Sequence, residues 1–333
     1  MSSNSEKGAI TLGEAAIISQ EGFKGRHILD FSSLSRAELK AVLALAQDLK
    51  KERDQGKLTP YLQGKTLAMI FEKASTRTRV SFEVAMFELG GHALFLSDST
   101  TQIGRGETVP DTARVLSRYV HGIMIRTFAH EKVEELAKFA TVPVINGLTD
   151  DHHPCQVMAD LLTISQHKGH LNGLTIAYVG DGNNMAHSIL QAAPMVGMNV
   201  RIATPPGYEP KAEIVEQAKA WAKEAKTKVW VGHDPFEAVA DADAVYTDVW
   251  ASMGQEQEAE ARKQVFMPYQ VNAQLMGNAA KEVLFLHCLP AHRGEEVTAE
   301  VIDSPASVVF DEVENRLHVQ KALLVATMSD LWG

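Results

Sequence analysis

The residues best suited to chemistry follow an apolar run and open a helix. Residues 71–79 read FEKASTRTR, so the hydroxyls of Ser75, Thr76 and Thr78 lie beside the guanidinium groups of Arg77 and Arg79. A helix N-terminus attracts anions through its free N–H groups and its dipole. Hydroxyls and arginine forks add charge-assisted hydrogen bonds to phosphate. A helix cap with two surface arginines is the alternative, but five donors together favour a phosphate site. The GK[ST] pattern of a P-loop is missing.

A second polar cluster, HHPCQ at 152–156, precedes another helical pattern. Two histidines and a cysteine suggest a metal site. However, His152 and His153 are neighbours, Pro154 separates His153 from Cys155, and no CxxC motif accompanies them, which is poor spacing for ligands. We therefore expect no metal here. His153 and Gln156 are better suited to donate hydrogen bonds to a substrate oxygen and an amide.

Two apolar runs end on charged residues. Arg126 ends the run 122–126, and Asp248 follows the run 244–247, shortly before a Ser-Met-Gly segment at 252–254. Ligands bind beyond the carboxyl ends of parallel strands, so Arg126 is placed to meet the same anion. Asp248 suits a cationic amino group beside a mobile loop. The alternative for Arg126 is an ordinary surface arginine, and the alternative for Asp248 is a helix cap.

Two patterns resemble other enzyme classes, and each departs from them. The Gly-Asp-Gly of 180–182 resembles a dinucleotide fingerprint, but Met185 replaces the third glycine and no acidic residue ends the next strand. Asn184 at that helix start could instead hold a carboxylate. Cys288 could be a nucleophile with His287 as its base, or a small buried side chain. Adjacent strand residues point to opposite faces, which argues against the pair.

The elements that position these residues alternate between strands and helices. Strands are predicted at 65–71, 92–96, 122–126, 142–145, 174–179, 200–203, 228–231, 244–247 and 283–287. Helices are predicted from Ser35 and from Ser75 and at 111–119, 131–139, 155–167 and 211–223, with a terminal amphipathic helix at 316–332. This rhythm indicates βαβ units. The predicted fold class is α/β, with two doubly wound parallel-sheet domains joined by interdomain helices.

Composition limits the partners. The 333 residues carry 32 Lys+Arg and 42 Asp+Glu, a formal net charge of −10, which argues against nucleic acid and membrane surfaces as partners. The sequence predicts no membrane span, secretory signal or transit peptide. Only two cysteines occur, which suits a reducing cytoplasm. The net charge describes the average surface and leaves room for a basic cleft.

Together the motifs resemble the aspartate/ornithine carbamoyltransferase family, on its ornithine branch. STRTR at 75–79 is similar to the carbamoyl-phosphate signature of the family and HPCQ at 153–156 to its second signature. Asp248 with the Ser-Met-Gly segment resembles its ornithine loop, and HCLP at 287–290 its late catalytic segment. The resemblance implies transfer of a carbamoyl group from carbamoyl phosphate to L-ornithine in arginine metabolism, here arginine biosynthesis, without cofactor or metal. It also implies a homotrimer.

The resemblance further implies domains and roles. Residues 1–153, rejoined by the helix 316–333, would bind carbamoyl phosphate, and 154–315 would bind L-ornithine. Catalytic roles would fall to Arg126, His153, Asp248 and Cys288. Carbamoyl phosphate would contact Ser75, Thr76, Arg77, Thr78, Gln102 of a neighbouring subunit, Arg126, His153, Pro154, Cys155, Gln156, Cys288, Leu289 and Arg316. Ornithine would contact Asn184, Asp248, Ser252 and Met253.

Two other functions stay open from the residues alone. A nicotinamide-dependent oxidoreductase is suggested by the glycines at 180–182, and nicotinamide binding would support it. A non-enzymatic sensor of carbamoyl phosphate or ornithine is the third possibility. The intact motifs disfavour the sensor, and an assay for citrulline separates it from the enzyme.

Overall fold

The computed structural model describes residues 23–97, 106–251 and 258–329. The helices are α1 Arg36–Asp54, α2 Thr76–Glu88, α3 Val109–Leu116, α4 His130–Phe139, α5 Pro154–Lys168, α6 Asn184–Met195, α7 Ala212–Ala225, α8 Pro235–Val239, α9 Ala259–Phe266, α10 Ala273–Met276, α11 Ala299–Ile302 and α12 Val309–Met328. The strands are β1 Thr66–Phe71, β2 His92–Ser97, β3 Gly122–Arg126, β4 Val144–Leu148, β5 Thr175–Val179, β6 Asn199–Ala203, β7 Val229–Gly232, β8 Ala244–Thr247 and β9 Leu284–His287.

The strands form two parallel sheets. The first has four strands in the order β2-β1-β3-β4, and the second has five in the order β7-β6-β5-β8-β9. All pairings between neighbouring strands are parallel. This confirms the predicted fold class of two doubly wound α/β units.

The strand sequences explain this arrangement. The central strands β1, β3, β5 and β8 are largely apolar runs that are almost wholly buried, because helices cover both faces of a parallel sheet. Each sheet also reverses its order at one point, between β1 and β3 in the first and between β5 and β8 in the second. Ligands bind at such switch points, beyond the carboxyl ends of the strands.

Helices α1 and α2 begin where the sequence predicts. Ser35 caps α1 in a complete capping box with Glu38: the Ser35 hydroxyl accepts from the Glu38 N–H, and the Glu38 carboxylate accepts from the Ser35 N–H. Ser75 caps α2 in the same manner by accepting from the Thr78 N–H. Most other predicted boundaries agree with the structure to within one helical turn.

The last helix corrects the sequence prediction. We expected an amphipathic helix from Arg316, but α12 begins at Val309, and its residues from Asn315 to Met328 are buried on every face. The reason is its surroundings, because α12 packs against α1, α2 and α5 and reaches β9. Helix α5 is likewise buried from Pro154 to Ile164. These two helices lie between the sheets, as the predicted interdomain helices should. The domain boundary between 153 and 154, which coincides with the start of α5, stays a prediction.

No helix in the described parts of the chain is both long and apolar enough to cross a membrane.

Candidate active site

The two switch points open onto one cleft of about 650 Å³. Its lining comes from the ends of β1, β3, β5 and β8 and from the N-termini of α2 and α6, with the loop after β9 and one residue of α12. Residues from both sheets therefore face the same space. This is where parallel strand ends are expected to gather ligand-binding groups.

The predicted phosphate motif divides into residues that face the cleft and one that supports them. Ser75 and Arg77 line it, whereas Thr76 and Thr78 do not. Thr78 is fully buried, and its hydroxyl accepts hydrogen bonds from the Ser75 hydroxyl at 3.0 Å and from Nη2 of Arg316 at 2.8 Å. Thr78 thus holds an arginine of the last helix against the start of α2.

Three arginines converge on this end of the cleft. Arg77, Arg126 and Arg316 all line it, and the last two are buried. Burial, together with the nearby charges of Arg316 and Arg77, lowers the pKa of Arg126 to about 10. Burial and the neighbouring Arg77 also lower the pKa of Arg316, although the Cys288 thiolate form would raise it. Three positive charges that face one cleft favour an anion there.

His153 lies at the start of α5, and its backbone N–H donates to Ser188 Oγ at 2.8 Å. Burial holds the pKa of its imidazole well below the ordinary value, with a further contribution from Arg316 and the other arginines. Its Nδ1 is buried with no hydrogen-bond partner among the described residues. A neutral imidazole facing the cleft can donate to a substrate oxygen.

The residues that follow His153 do not line the cleft. Pro154 and Cys155 are buried in the first turn of α5, and Cys155 Sγ faces the Asn146 carbonyl at 3.5 Å. Gln156 is fully buried, and its Nε2 donates to Asp160 at 2.9 Å and to Glu312 at 2.7 Å. These two bonds fix the orientation of the amide. Its oxygen Oε1 has no hydrogen-bond partner within the described structure and can still accept one. Contact of these three residues with substrate stays a prediction.

The opposite end of the cleft is acidic and amide-rich. Asp248 follows β8, where its carboxylate accepts from the Cys288 thiol at 3.0 Å and from Asn183 Nδ2 at 3.0 Å. Burial and the adjacent Asp248 hold the pKa of Cys288 well above its ordinary value, so the thiol stays protonated. Asn184 lines the cleft and donates to the Thr149 carbonyl at 2.6 Å. Gln102, Ser252 and Met253 lie outside the described residues.

The structure gives no support to a Cys288–His287 nucleophilic pair. His287 accepts from the Leu289 N–H at 2.9 Å through Nδ1, and its Nε2 lies 3.1 Å from Glu296. Both ring nitrogens of His287 are therefore engaged with groups other than the thiol, and the thiol donates to Asp248. Leu289 lines the cleft with a left-handed φ of 57° and precedes a cis peptide bond to Pro290.

Gly182, the second glycine of the 180–182 segment, serves packing. A Cβ on Gly182 would lie 2.3 Å from the Pro210 backbone nitrogen and 2.5 Å from the Tyr208 carbonyl oxygen. The segment 208–210 therefore covers the turn that a dinucleotide would need to approach. This observation weighs against the oxidoreductase alternative.

Sequence reasoning missed part of the lining. Arg262 of α9 forms a buried ion pair with Asp181 and lies over the rings of Tyr208 and Phe266. Burial raises the pKa of Asp181 to about 6 against the opposing effect of Arg262. Lys73, buried and paired with Asp150, lines the phosphate end. Lys73 stands inside the first motif and could have been noticed, whereas no local pattern marks Arg262.

Two family models together cover most of the chain. The model described as aspartate/ornithine carbamoyltransferase, carbamoyl-P binding domain, matches residues 26–166, and that of the Asp/Orn binding domain matches residues 172–327. Ornithine carbamoyltransferase of Anoxybacillus flavithermus is 61% identical over 305 residues, covering 92% of this chain and 97% of that protein. The Bacillus subtilis enzyme is 58% identical over 311 residues, with 93% and 96% covered.

Solved structures give the same result. Ornithine carbamoyltransferase from Pyrococcus furiosus superposes with a TM-score of 0.90 at 55% identity, covering 92% of this chain and 98% of that one. The enzyme from Thermus thermophilus has a TM-score of 0.82 at 47% identity, with 91% and 99% covered.

Proposed function

We propose that this chain, which belongs to the aspartate/ornithine carbamoyltransferase family, transfers the carbamoyl group of carbamoyl phosphate to the δ-amine of L-ornithine. The products are L-citrulline and phosphate. The observation that carries the proposal is the convergence of Arg77 with the buried Arg126 and Arg316 on the cleft at the start of α2. A phosphate dianion carries the charge opposite to that of this cluster.

The phosphate end has the properties of a leaving-group site. Ser75 and Arg77 face the cleft at a helix N-terminus, where anions are stabilised by N–H groups and the dipole. Thr78 holds Arg316 toward the same place. As the C–O bond to phosphate breaks, its electron pair leaves with the phosphate. The arginines stabilise that growing charge.

The carbamoyl group would lie between the arginines and the acidic end. Arg126 and His153 are the proposed donors to the carbamoyl oxygen, on which negative charge grows when the amine attacks. Gln156 with its remaining acceptor oxygen, and the carbonyl groups of Cys288 and Leu289, are proposed to receive the carbamoyl NH₂. Pro154 and Cys155 would act through the position of the first turn of α5.

Ornithine would enter from the acidic end. The Asp248 carboxylate suits the cationic α-amine, and Asn184 suits the α-carboxylate; Ser252 and Met253 are proposed to complete this contact, and Gln102 to reach a neighbouring subunit. The δ-amine must be neutral to attack, and free alkyl ammonium groups have a pKa of about 10.4. We therefore expect the rate to rise with pH across the neutral range. The attacking amine then loses a proton as citrulline forms.

Assembly and setting are further parts of the proposal. Large apolar side chains are exposed on α2 and on the edge strand β2, namely Val80, Phe87, Leu94 and Phe95. Exposed apolar groups of this kind mark surfaces that associate, and a homotrimer would cover them. We place the enzyme in the cytoplasm and in arginine biosynthesis. The two cysteines are both free, as a reducing compartment favours.

The direct test measures phosphate release and the carbamoylated product from carbamoyl phosphate with L-ornithine, putrescine or L-aspartate as the acceptor; the product from ornithine is citrulline. Activity with ornithine alone is expected. Activity with putrescine or aspartate but not ornithine would contradict the proposal, and binding of both substrates without turnover would identify a sensor. Calorimetry with a nicotinamide dinucleotide tests the oxidoreductase alternative, for which we expect no binding.

A role-specific variant sharpens the assignment. Arg77→Ala should weaken carbamoyl phosphate binding by about 10- to 150-fold, the equivalent of losing a charge-assisted hydrogen bond of ~1.5–3 kcal/mol. Ornithine binding to the complex of enzyme and unreactive phosphate analogue should change far less. Arg114→Ala, at an exposed arginine paired with Asp111, is the matched control. Equal weakening of both substrates by Arg77→Ala would contradict the division of roles.

A further inference from the structure

A cluster of two histidines and one aspartate lies beside the cleft and outside its lining. Asp30 caps the short helical turn Phe31–Ser33, His130 opens α4, and His152 lies in the turn before α5. One ligand atom of each lies within 4.8 Å of those of the other two. The three residues are distant in sequence, so no spacing motif could reveal them. The sequence analysis rejected a metal site made of His152, His153 and Cys155. The cluster described here shares only His152 with that set.

We propose that Asp30, His130 and His152 bind one divalent transition-metal cation. The proposal is independent of the carbamoyl-transfer reaction. Asp30 Oδ2 lies 4.0 Å from His152 Nε2, which is too long for a hydrogen bond. A cation about 2 Å from each of two ligand atoms holds them at most about 4 Å apart, so Asp30 and His152 stand at this limit and binding would draw the ligand atoms closer together. The rings of His130 and His152 pack edge to face with centroids 4.7 Å apart.

Outer hydrogen bonds already orient the three side chains. Asp30 Oδ1 accepts from the Ser32 N–H at 2.9 Å and the Ser32 hydroxyl at 2.6 Å, which leaves Oδ2 for the cation. His130 Nδ1 lies 3.1 Å from the Thr149 hydroxyl, which leaves Nε2. The Thr149 hydroxyl also accepts from the His152 N–H at 3.1 Å. Such second contacts fix the tautomer and direction of metal-binding groups.

The donor set selects the class of ion. Two imidazole nitrogens and one carboxylate suit Zn²⁺, Co²⁺ or Ni²⁺, while Mg²⁺ and Ca²⁺ prefer sets made of oxygen. His152 is buried and Asp30 is half-buried, so the site is enclosed on one side and leaves room for water ligands on the other. A bound cation would tie together the segment before α1, the start of α4 and the turn that carries His153.

Two other groups within the described structure compete as explanations for metal binding. In the first group, Asp248 and Cys288 line the cleft already described, where the thiol donates to the carboxylate, and His287 is buried beside them. His292, Glu295 and Glu296 form the other group. An experiment must therefore separate the proposed site from both.

The test is titration of chelator-treated full-length protein with Co²⁺, followed by calorimetry and by the visible absorption of the ion. One equivalent is expected to bind and to raise the melting temperature, because a ligand specific for the folded state stabilises it. Asp30→Asn keeps the capping oxygen and removes the charged ligand, and His130→Ala removes an imidazole. Each is expected to weaken binding at least 10-fold and to abolish the thermal shift.

Matched controls complete the design. Asp234→Asn makes the same change at the cap of α8, and His170→Ala removes an exposed imidazole. Both should bind Co²⁺ like the starting protein, as should Cys288→Ser and Glu295→Gln. Melting in the absence of metal establishes that each variant folds. No Co²⁺ binding, unchanged binding in Asp30→Asn and His130→Ala, or loss of binding in Cys288→Ser or Glu295→Gln would overturn the proposal.

Discussion

A buried pair of carboxyl groups under the cleft gives a quantitative prediction. Glu312 of α12 and Asp160 of α5 are both fully buried, and the Gln156 amide donates to each of them. Glu312 also accepts from the His287 N–H at 3.0 Å and faces the Tyr246 hydroxyl at 3.4 Å. Burial raises the pKa of Glu312 to about 7, and that of Asp160 well above its ordinary value with help from the adjacent Glu312.

The free energy of unfolding should therefore depend on the proton held by Glu312. A carboxyl whose pKa is about 7 when folded and 4.5 when unfolded stabilises the fold fully below pH 4.5. That contribution is lost as pH rises toward 7, because the unfolded chain releases the proton first. At ~1.4 kcal/mol for each pKa unit, the difference amounts to about 3 kcal/mol.

Glu312→Gln removes the titration and keeps one acceptor oxygen. Between pH 5 and pH 7.5, we expect the variant to gain about 2.4 kcal/mol of stability relative to the starting protein, which is the part of the full difference that falls in this range. Urea unfolding at constant ionic strength, followed by tryptophan fluorescence, measures this difference. Glu314→Gln is the control on the same helix, because a hydrogen bond from Lys50 lowers the pKa of Glu314 below 4.5. Its contribution to stability changes only below that pH, so the control should follow the profile of the starting protein between pH 5 and pH 7.5. Parallel pH profiles for Glu312→Gln and the starting protein would refute the reasoning.

Three further predictions concern packing and the two ends of the cleft. Gly182→Ala should lower the melting temperature, because the added Cβ would overlap the Pro210 backbone nitrogen and overpacking costs ~1–3 kcal/mol; an unchanged melting curve would contradict this. Thr78→Val should raise the KM for carbamoyl phosphate about 10-fold or more by releasing the buried Arg316, with little change for ornithine in steady-state kinetics. Asp248→Asn should raise the KM for ornithine by a similar factor and leave the KM for carbamoyl phosphate nearly unchanged. An increase in the KM for carbamoyl phosphate alone would contradict the proposed contact between Asp248 and ornithine.

Much of the fold followed from local patterns, and the family comparisons confirm the resemblance. Apolar runs that end in Arg126 and Asp248 predicted parallel strands and charged strand ends, because a buried parallel strand needs no alternation. The hydroxyl and arginine motif predicted the start of α2. These features depend on residues close together in the chain, so the sequence alone could reveal them.

Other features depend on distant contacts. The burial of α12 on every face follows from the three helices around it, and its own polar residues, such as His318 and Gln320, conceal that environment. The Asp181–Arg262 pair joins the end of β5 to α9, and no pattern relates these positions. The sequence suggests that Gln156 donates a hydrogen bond to the substrate. In the structure its Nε2 donates to two carboxyl groups that come from different helices. Such pairings exist only after the sheets have packed.

The position of α12 also has a consequence for synthesis on the ribosome. Domains generally fold from the N-terminus while the chain is still being made, so the first sheet and the helices around it emerge long before residues 309–328. Until that late helix arrives, its place among α1, α2 and α5 is unfilled and the anion site lacks Arg316. Nascent chains should therefore expose an apolar groove that chaperones can hold. The chain would then bind phosphate only after α12 has been translated and has packed into its place.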